Sequence, residues 1–171
     1  YEITTRLVGS EMCIRDRREV GSGEVSLVSH FYYKIFETQF DFLPSTEQYF
    51  LHACEELFDN PEKNKMWIIE NGGKIKGSIC VIDRGEHDAQ LRLFGMDASL
   101  QGKGAGKALM QTAMDYCKKM QYTHVSLWTI DICKAARHLY AKFDFKLTDT
   151  KENNTWANYS ITEELWEFND D

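Results

Sequence analysis

Several features are missing from this chain of 171 residues, and each absence excludes a class of protein. No apolar run approaches the roughly 20 residues that a membrane-spanning helix needs, so no membrane partner is expected. Basic residues are in deficit: 20 Lys and Arg stand against 27 Asp and Glu, for a net charge of −7. A nucleic-acid surface needs a basic footprint, so no nucleic acid is expected either. The acidic balance suits a cationic amine better. The five cysteines, Cys13, Cys54, Cys80, Cys117 and Cys133, show no paired spacing. They read as free thiols in a reducing cytosol, which makes the expected location cytoplasmic. The five histidines lack metal-ligand spacing, so no metal is expected. There is no internal repeat, linker or low-complexity segment. What remains is a single domain long enough to bury a core, with an ordinary 43% of hydrophobic residues.

The chain is organised around the stretch from Leu91 to Met120. Leu-Arg-Leu-Phe-Gly-Met, from Leu91 to Met96, is short, apolar and strand-like. Gln101-Gly102-Lys103-Gly104-Ala105-Gly106-Lys107 follows, with glycine at every second position between two lysines. Leu109, Met110, Ala113, Met114, Cys117 and Met120 then recur at three- and four-residue spacing, which predicts one buried helix face. Strand, glycine turn and helix together form an anion site. The first N–H groups of a helix have no internal partner, the helix dipole adds partial positive charge, and glycine lets a ligand approach the backbone. A phosphate or pyrophosphate is the expected ligand. A dinucleotide fingerprint starting at Gly102 fails because Lys107 stands where its last glycine belongs. A Walker A loop fails because Gln101 replaces its first glycine and Ala108 its magnesium-binding hydroxyl.

The remaining elements follow in order. Val8 to Arg17 contains Met-Cys-Ile-Arg-Asp, whose coding string resembles the transposon end used in preparing sequencing libraries. Residues 1–17 are therefore expected to be adapter-derived or disordered, with the domain occupying 18–171. The alternative is a first strand over Ile14 to Val20. Helical spacing begins after Glu24, with Ser22 or Gly23 as cap. A break over Gln39 to Pro44 precedes a capping box at Ser45-Thr46-Glu47-Gln48. The second helix, to about Phe58, should bury Tyr49, Phe50, Ala53, Cys54 and Leu57. A hairpin turns at Asn71-Gly72-Gly73, and a second turn at Asp83 to Glu86 leads into Asp88 to Met96. After the glycine-loop helix come a strand over Val125 to Thr129 and a helix over Lys134 to Lys142. An antiparallel pair, Phe145 to Thr148 with Glu164 to Phe168, ends the order. Strand, helix and strand imply a parallel pair.

Gln101, Gly104 and Gly106 fit Gln/Arg-x-x-Gly-x-Gly/Ala, which resembles the acetyl-CoA pyrophosphate loop of the GNAT superfamily of N-acetyltransferases. Lys134-Ala135-Ala136-Arg137-His138-Leu139-Tyr140, followed by Phe143-Asp144-Phe145, looks like that family's Ala-x-x-Leu-Tyr-x-x-x-Gly-Phe helix, with Ala136, Leu139, Tyr140 and Phe145 in register. The order of elements from about residue 19 to 168 also resembles the GNAT fold. Leu91-Arg92-Leu93 and Ser126-Leu127-Trp128-Thr129 look closest to acetyltransferase domains found alone or fused to MarR-type regulators; no winged-helix segment is present. The fold this implies is α/β, with a central mixed sheet of about six to seven strands, splayed between strands 4 and 5, and helices on both faces.

The resemblance implies roles as well. Phe94, Gly95 and Met96 would accept the pantetheine arm of acetyl-CoA. An N–H of Met96 or a neighbour would polarise the thioester oxygen. Gln101, Gly102, Lys103, Gly104, Ala105, Gly106 and Lys107 would hold the pyrophosphate, with Lys103 and Lys107 adding charge unless they are solvated surface lysines. Tyr140 would be the general acid for the leaving thiolate; helix position alone equally allows a core tyrosine. Cys133 departs from the family's asparagine, Ala105 from a larger aliphatic, and Asp144 from a glycine, although a left-handed turn tolerates Asp. Asp97, Asp131, Glu86, His87 or an ordered water are the options for the general base. The acidic and aromatic segment from Glu37 to Phe42 would wall the acceptor site, or else Phe40 and Phe42 cap the core. Trp128 is either a wall of the acceptor site or core packing, and reads as core. The implied activity is transfer of an acetyl group from acetyl-CoA to a small-molecule or peptide primary amine in a ternary complex. A non-catalytic acyl-CoA-binding regulatory module is the alternative, and a homodimer is left open.

Overall fold

A computed structural model describes residues 17–171. The adapter reading thus lies outside the described residues, save for Arg17, which opens strand β1 (Arg17–Glu19). β1 pairs antiparallel with β2 (Lys65–Asn71), so the described end of the Ile14–Val20 alternative is a strand. Helix α1 spans Val25–Phe40 and α2 spans Thr46–Glu55, continued by a 3₁₀ turn at Glu56–Phe58. Strands β3 (Lys74–Gly85) and β4 (Asp88–Met96) complete a meander. Helix α3 (Ala105–Lys119), strand β5 (His124–Ile130), helix α4 (Lys134–Lys142) and strands β6 (Lys146–Asn153) and β7 (Ile161–Asn169) follow. The seven strands form one mixed sheet in the order β1-β2-β3-β4-β5-β7-β6, with β4 and β5 parallel.

Both faces of the sheet centre are buried, so its strands read as near-continuous apolar runs. Ile69, Ile79 and Val81 pack against Leu109, Met110, Ala113 and Cys117 of α3. Ile68, Cys80 and Ile82 face Val28 of α1 and Ala53 and Cys54 of α2. The α3 stripe is the predicted one, with Met114 and Met120 half-buried at its edge.

Four local expectations are corrected. Neither Ser22 nor Gly23 caps α1; the Glu24 carboxylate instead accepts from the Gly21 N–H at 2.5 Å. The capping box at Ser45 does not form, because Ser45 already has helical angles (φ −60°, ψ −20°) and its hydroxyl cannot reach back. The Thr46 hydroxyl donates to Leu43 O at 2.7 Å in its place. Tyr49 is 41% exposed, not buried, because it leans outward on Trp156 and Arg92. The β6–β7 pair is longer than expected. Asn153 Oδ1 accepts from the Thr155 and Trp156 N–H groups and so moves the turn beyond residue 153. Asp144 takes φ 66°, the left-handed turn foreseen for it.

Candidate active site

The site forms where two parallel strands part. β4 and β5 pair over only Asp88↔His124, Ala89↔Val125 and Gln90↔Ser126. Beyond that point β4 carries a bulge. Cys80 opposes Arg92 and Ser78 opposes Gly95, so Leu93 and Phe94 together face Ile79. Leu93 sits at φ 52°, and the fully buried Ser78 donates its hydroxyl to Leu93 O at 2.6 Å. The lone buried serine in an apolar strand is the sequence signal for this bulge, and it was not read as one. Past the bulge, the Asp97 N–H is taken by Lys76 O at 2.8 Å. Strand alternation turns the preceding N–H, that of Met96, toward the side from which β5 has departed.

The glycines of this region serve two different needs. A Cβ on Gly95 would lie 3.1 Å from the Tyr32 ring, so glycine there lets α1 press onto the strand. A Cβ on Gly106 would meet Met96 Cε at 2.7 Å, so that glycine seats α3 against Met96 and Leu139. Gly102 and Gly104 are instead conformational: both have left-handed φ, 74° and 77°, with open space above them. Helix α3 starts with no side-chain cap and no acid in its first turn. Ala108 is the first residue to bond back, to Gly104 O at 3.0 Å, so the N–H groups of Ala105, Gly106 and Lys107 have no partner within the helix. Lys103 and Lys107 are exposed on either side, and Gln101 is exposed at the loop's start. An uncapped helix start, free of acid and approached by bare backbone, fits a pyrophosphate.

The parted strands open into a cleft. Tyr140 of α4, 4% exposed, lines it together with Tyr32 of α1 and Phe94 of β4. Burial pushes the Tyr140 hydroxyl well above the usual phenol range; Cys133 acts in the same direction, and Thr129 opposes them weakly. Tyr32 is pushed up by burial and by its neighbours Tyr140 and Cys133. Both phenols are therefore proton donors at neutral pH. Cys133, at the start of α4, is pushed up to about 12 by burial and Asp131, and it stays a neutral thiol rather than a nucleophile.

Of the base candidates, none reaches the cleft. Asp97 accepts from the Ser99 N–H at 2.9 Å, and Asp131 accepts from the Thr162 N–H at 3.2 Å. Glu86 and His87 form the left-handed β3–β4 turn at the far end of the sheet. The segment 37–42 contributes Phe42, but Glu37 turns outward to Lys34 at 2.8 Å. Phe42 packs between Phe36 and Trp156, with ring centroids at 5.0 and 5.9 Å. The wall is therefore aromatic. Trp128, read as core, is half-buried and lines the cleft with Lys151 Nζ 4.2 Å from its ring centroid. Alternation along β5 puts Leu127 in the core on the opposite face. Tyr32, Arg92 and Glu163 are among the cleft residues without a role read from the sequence. They come from α1, β4 and β7, and no local motif joins them.

The model of the acetyltransferase (GNAT) family matches residues 29–145. Among curated proteins, N-acetyltransferase 8B of Homo sapiens is 29% identical over 96 residues, covering 53% of this chain and 42% of that protein. N-acetylaspartate synthetase of Danio rerio is 26% identical over 102 residues, covering 59% of this chain and 36% of that protein. The chain spans about two-fifths of the length of these relatives. Among solved structures, an N-acetyltransferase from Staphylococcus aureus Mu50 has a TM-score of 0.71 at 18% identity, covering 90% of this chain and 96% of that one. The yncA structure from Salmonella typhimurium with its cofactor acetyl-CoA has a TM-score of 0.71 at 11% identity, covering 91% and 93%. These structures share the fold.

Proposed function

The chain belongs to the acetyltransferase (GNAT) family, and from that premise we propose that it moves an acetyl group from acetyl-CoA to a primary amine, both bound at once. The observation that carries this reading is that β4 parts from β5 into a cleft lined by Phe94 and Tyr140, while the start of α3 packs through Gly106 onto Met96 of the same strand and onto Leu139, the neighbour of Tyr140. Bound along β4, acetyl-CoA supplies an acyl carbon activated as a thioester. The N–H groups of 102–107 hold the pyrophosphate, and Lys103 and Lys107 add charge at its rim. Phe94, Gly95 and Met96 offer an unpaired strand edge to the pantetheine arm, and the Met96 N–H faces the acyl oxygen. Tyr140, kept protonated by burial, donates its phenolic proton where the sulfur leaves. The catalytic unit is residues 18–171. The free thiols Cys54, Cys80, Cys117 and Cys133 suit a reducing cytosol, and no helix among the described residues is long and apolar enough to cross a membrane.

Thermal unfolding with acetyl-CoA, ATP and NAD in parallel tests the loop. Acetyl-CoA at about one hundred times its dissociation constant adds roughly 2.7 kcal/mol, a shift of roughly 5–10 °C for a domain of this size. A shift with ATP and none with acetyl-CoA would refute the reading. Turnover with an amine, strongly reduced in Tyr140→Phe, separates an enzyme from a non-catalytic acyl-CoA-binding module.

A further inference from the structure

Two charged side chains, Arg92 and Glu163, line the cleft among the described residues; its other lining groups are aromatic, aliphatic or neutral polar. Their placement follows from sheet register. Gln90 is level with Ser126, so Arg92, two residues on, is level with Trp128 on the same face. Trp128 opposes Leu165 across the β5–β7 ladder, and Glu163 stands two residues from Leu165, again on that face. Arg92, Trp128 and Glu163 thus face the cleft from β4, β5 and β7, with Glu163 opposite Ile130, two residues beyond Trp128.

The charge balance around Arg92 leaves it under-neutralised. Glu56 accepts from Arg84 at 2.5 Å and lies 3.1 Å from Arg92 Nε, so one carboxylate serves two guanidiniums. The other contacts of Arg84 go to the neutral Gln90 Oε1, at 2.9 and 2.6 Å. Arg92 meets Glu56 through Nε, the side edge of its guanidinium, and lies 5.8 Å from the Tyr49 ring centroid. Its terminal Nη1/Nη2 edge is the geometry that receives a carboxylate through two parallel bonds. Glu55 and Asp59 flank Arg92 only on the outer side of α2, where both are exposed and solvated.

At the other end, Glu163 is 7% exposed. It accepts from Asn153 Nδ2 at 3.3 Å and lies 4.0 Å from Lys151 Nζ. That ammonium, on an exposed lysine, also rests over Trp128. A carboxylate beside an aromatic face is a favourable place for an ammonium group.

Taking the acetyltransferase reading as given, we propose that the acceptor is an amine bearing an adjacent carboxylate, of which an α-amino acid is the simplest. Arg92 holds the carboxylate, and Glu163 with Trp128 receives the amine in place of the exposed Lys151 ammonium, which swings out into solvent. A polycationic acceptor is disfavoured, because Arg92 opposes its second charge as a like charge.

The test uses a matched series on the whole chain: L-phenylalanine, its amide, and phenethylamine, which lacks the carboxylate. Acetyl-CoA binding is measured first. Calorimetric titration of each acceptor into the CoA-loaded protein and steady-state acetylation then give an acid-to-amide ratio within each variant, so altered stability cancels. The expected result is at least a tenfold preference for the acid in the native protein. The preference falls toward one in Arg92→Gln and is partly retained in Arg92→Lys, which keeps the charge but not the fork. A native ratio near one, in binding or in turnover, overturns the carboxylate anchor while leaving acetyl transfer standing. Failure to bind acetyl-CoA overturns the acetyl-transfer reading itself.

Discussion

Strands β4 and β5 are held together at one end and apart at the other, and the two ends are built from different materials. At the closed end, His124 on β5 bridges Asp88 on β4 at 2.7 Å and Glu167 on β7 at 2.9 Å. Thr148 on β6 donates to the same Glu167 at 2.5 Å, so a polar clamp spans four strands. At the open end there is no clamp. A bulge, the Tyr32 ring seated on Gly95, and the Phe94–Tyr140 contact (ring centroids 6.1 Å apart) hold the strands apart. Backbone N–H and C=O groups seek partners wherever water is scarce. The closed end satisfies them internally; at the open end β4 has no pairing with β5 beyond Gln90.

Breaking the open end at its chemistry has the largest expected effect. Tyr140→Phe keeps the ring packing and removes the proton, so turnover falls by about 10²–10⁴-fold while calorimetry shows acetyl-CoA binding unchanged. A matching loss of binding would reduce Tyr140 to packing. Breaking the bulge comes next. Ser78→Ala leaves the buried Leu93 carbonyl without its donor and costs about 1–3 kcal/mol in urea unfolding. No change there would mean that the bulge holds itself. Gly104→Ala forces a Cβ into a left-handed residue at about 1–2 kcal/mol. It lowers acetyl-CoA affinity too, whereas a loop that merely connects β4 to α3 would lose stability alone.

The smallest effect sharpens the closed end. Burial opposes the charged form of His124, but the hydrogen bonds to Asp88 and Glu167 outweigh it, and the pKa is raised. A raised folded-state pKa stabilises fully below the unfolded value and loses that contribution as pH rises through the folded value. The native chain should therefore lose up to ~1 kcal/mol relative to His124→Gln between about pH 6 and 8, the partly exposed site limiting the size. Unfolding midpoints that track each other across that range would remove the clamp from the account.

Much of the molecule is legible in short windows. The α3 stripe, the Gly72-Gly73 turn, the Lys134–Lys142 helix and the uncapped glycine loop all declare themselves within a few residues, because period and turn chemistry are local. Cap details were less legible. Ser45 has the right side chain but already helical angles, and the preceding Leu43-Pro44 path sets those angles. The glycines showed the site but not their separate duties: Gly95 and Gly106 are small for Tyr32 and Met96, residues that no spacing rule pairs with them.

The sequence by itself determined the order of elements, the glycine loop with its uncapped helix start and the position of Tyr140, since each depends on neighbours along the chain. Only the tertiary structure decided where β4 leaves β5, that Trp128 faces the cleft rather than the core, and that Arg92 and Glu163 share one floor. Those outcomes depend on ladder register and on a bulge opposite Ile79. A shift of one residue in a strand exchanges every side chain between its two faces, and that choice is made by packing across the whole sheet.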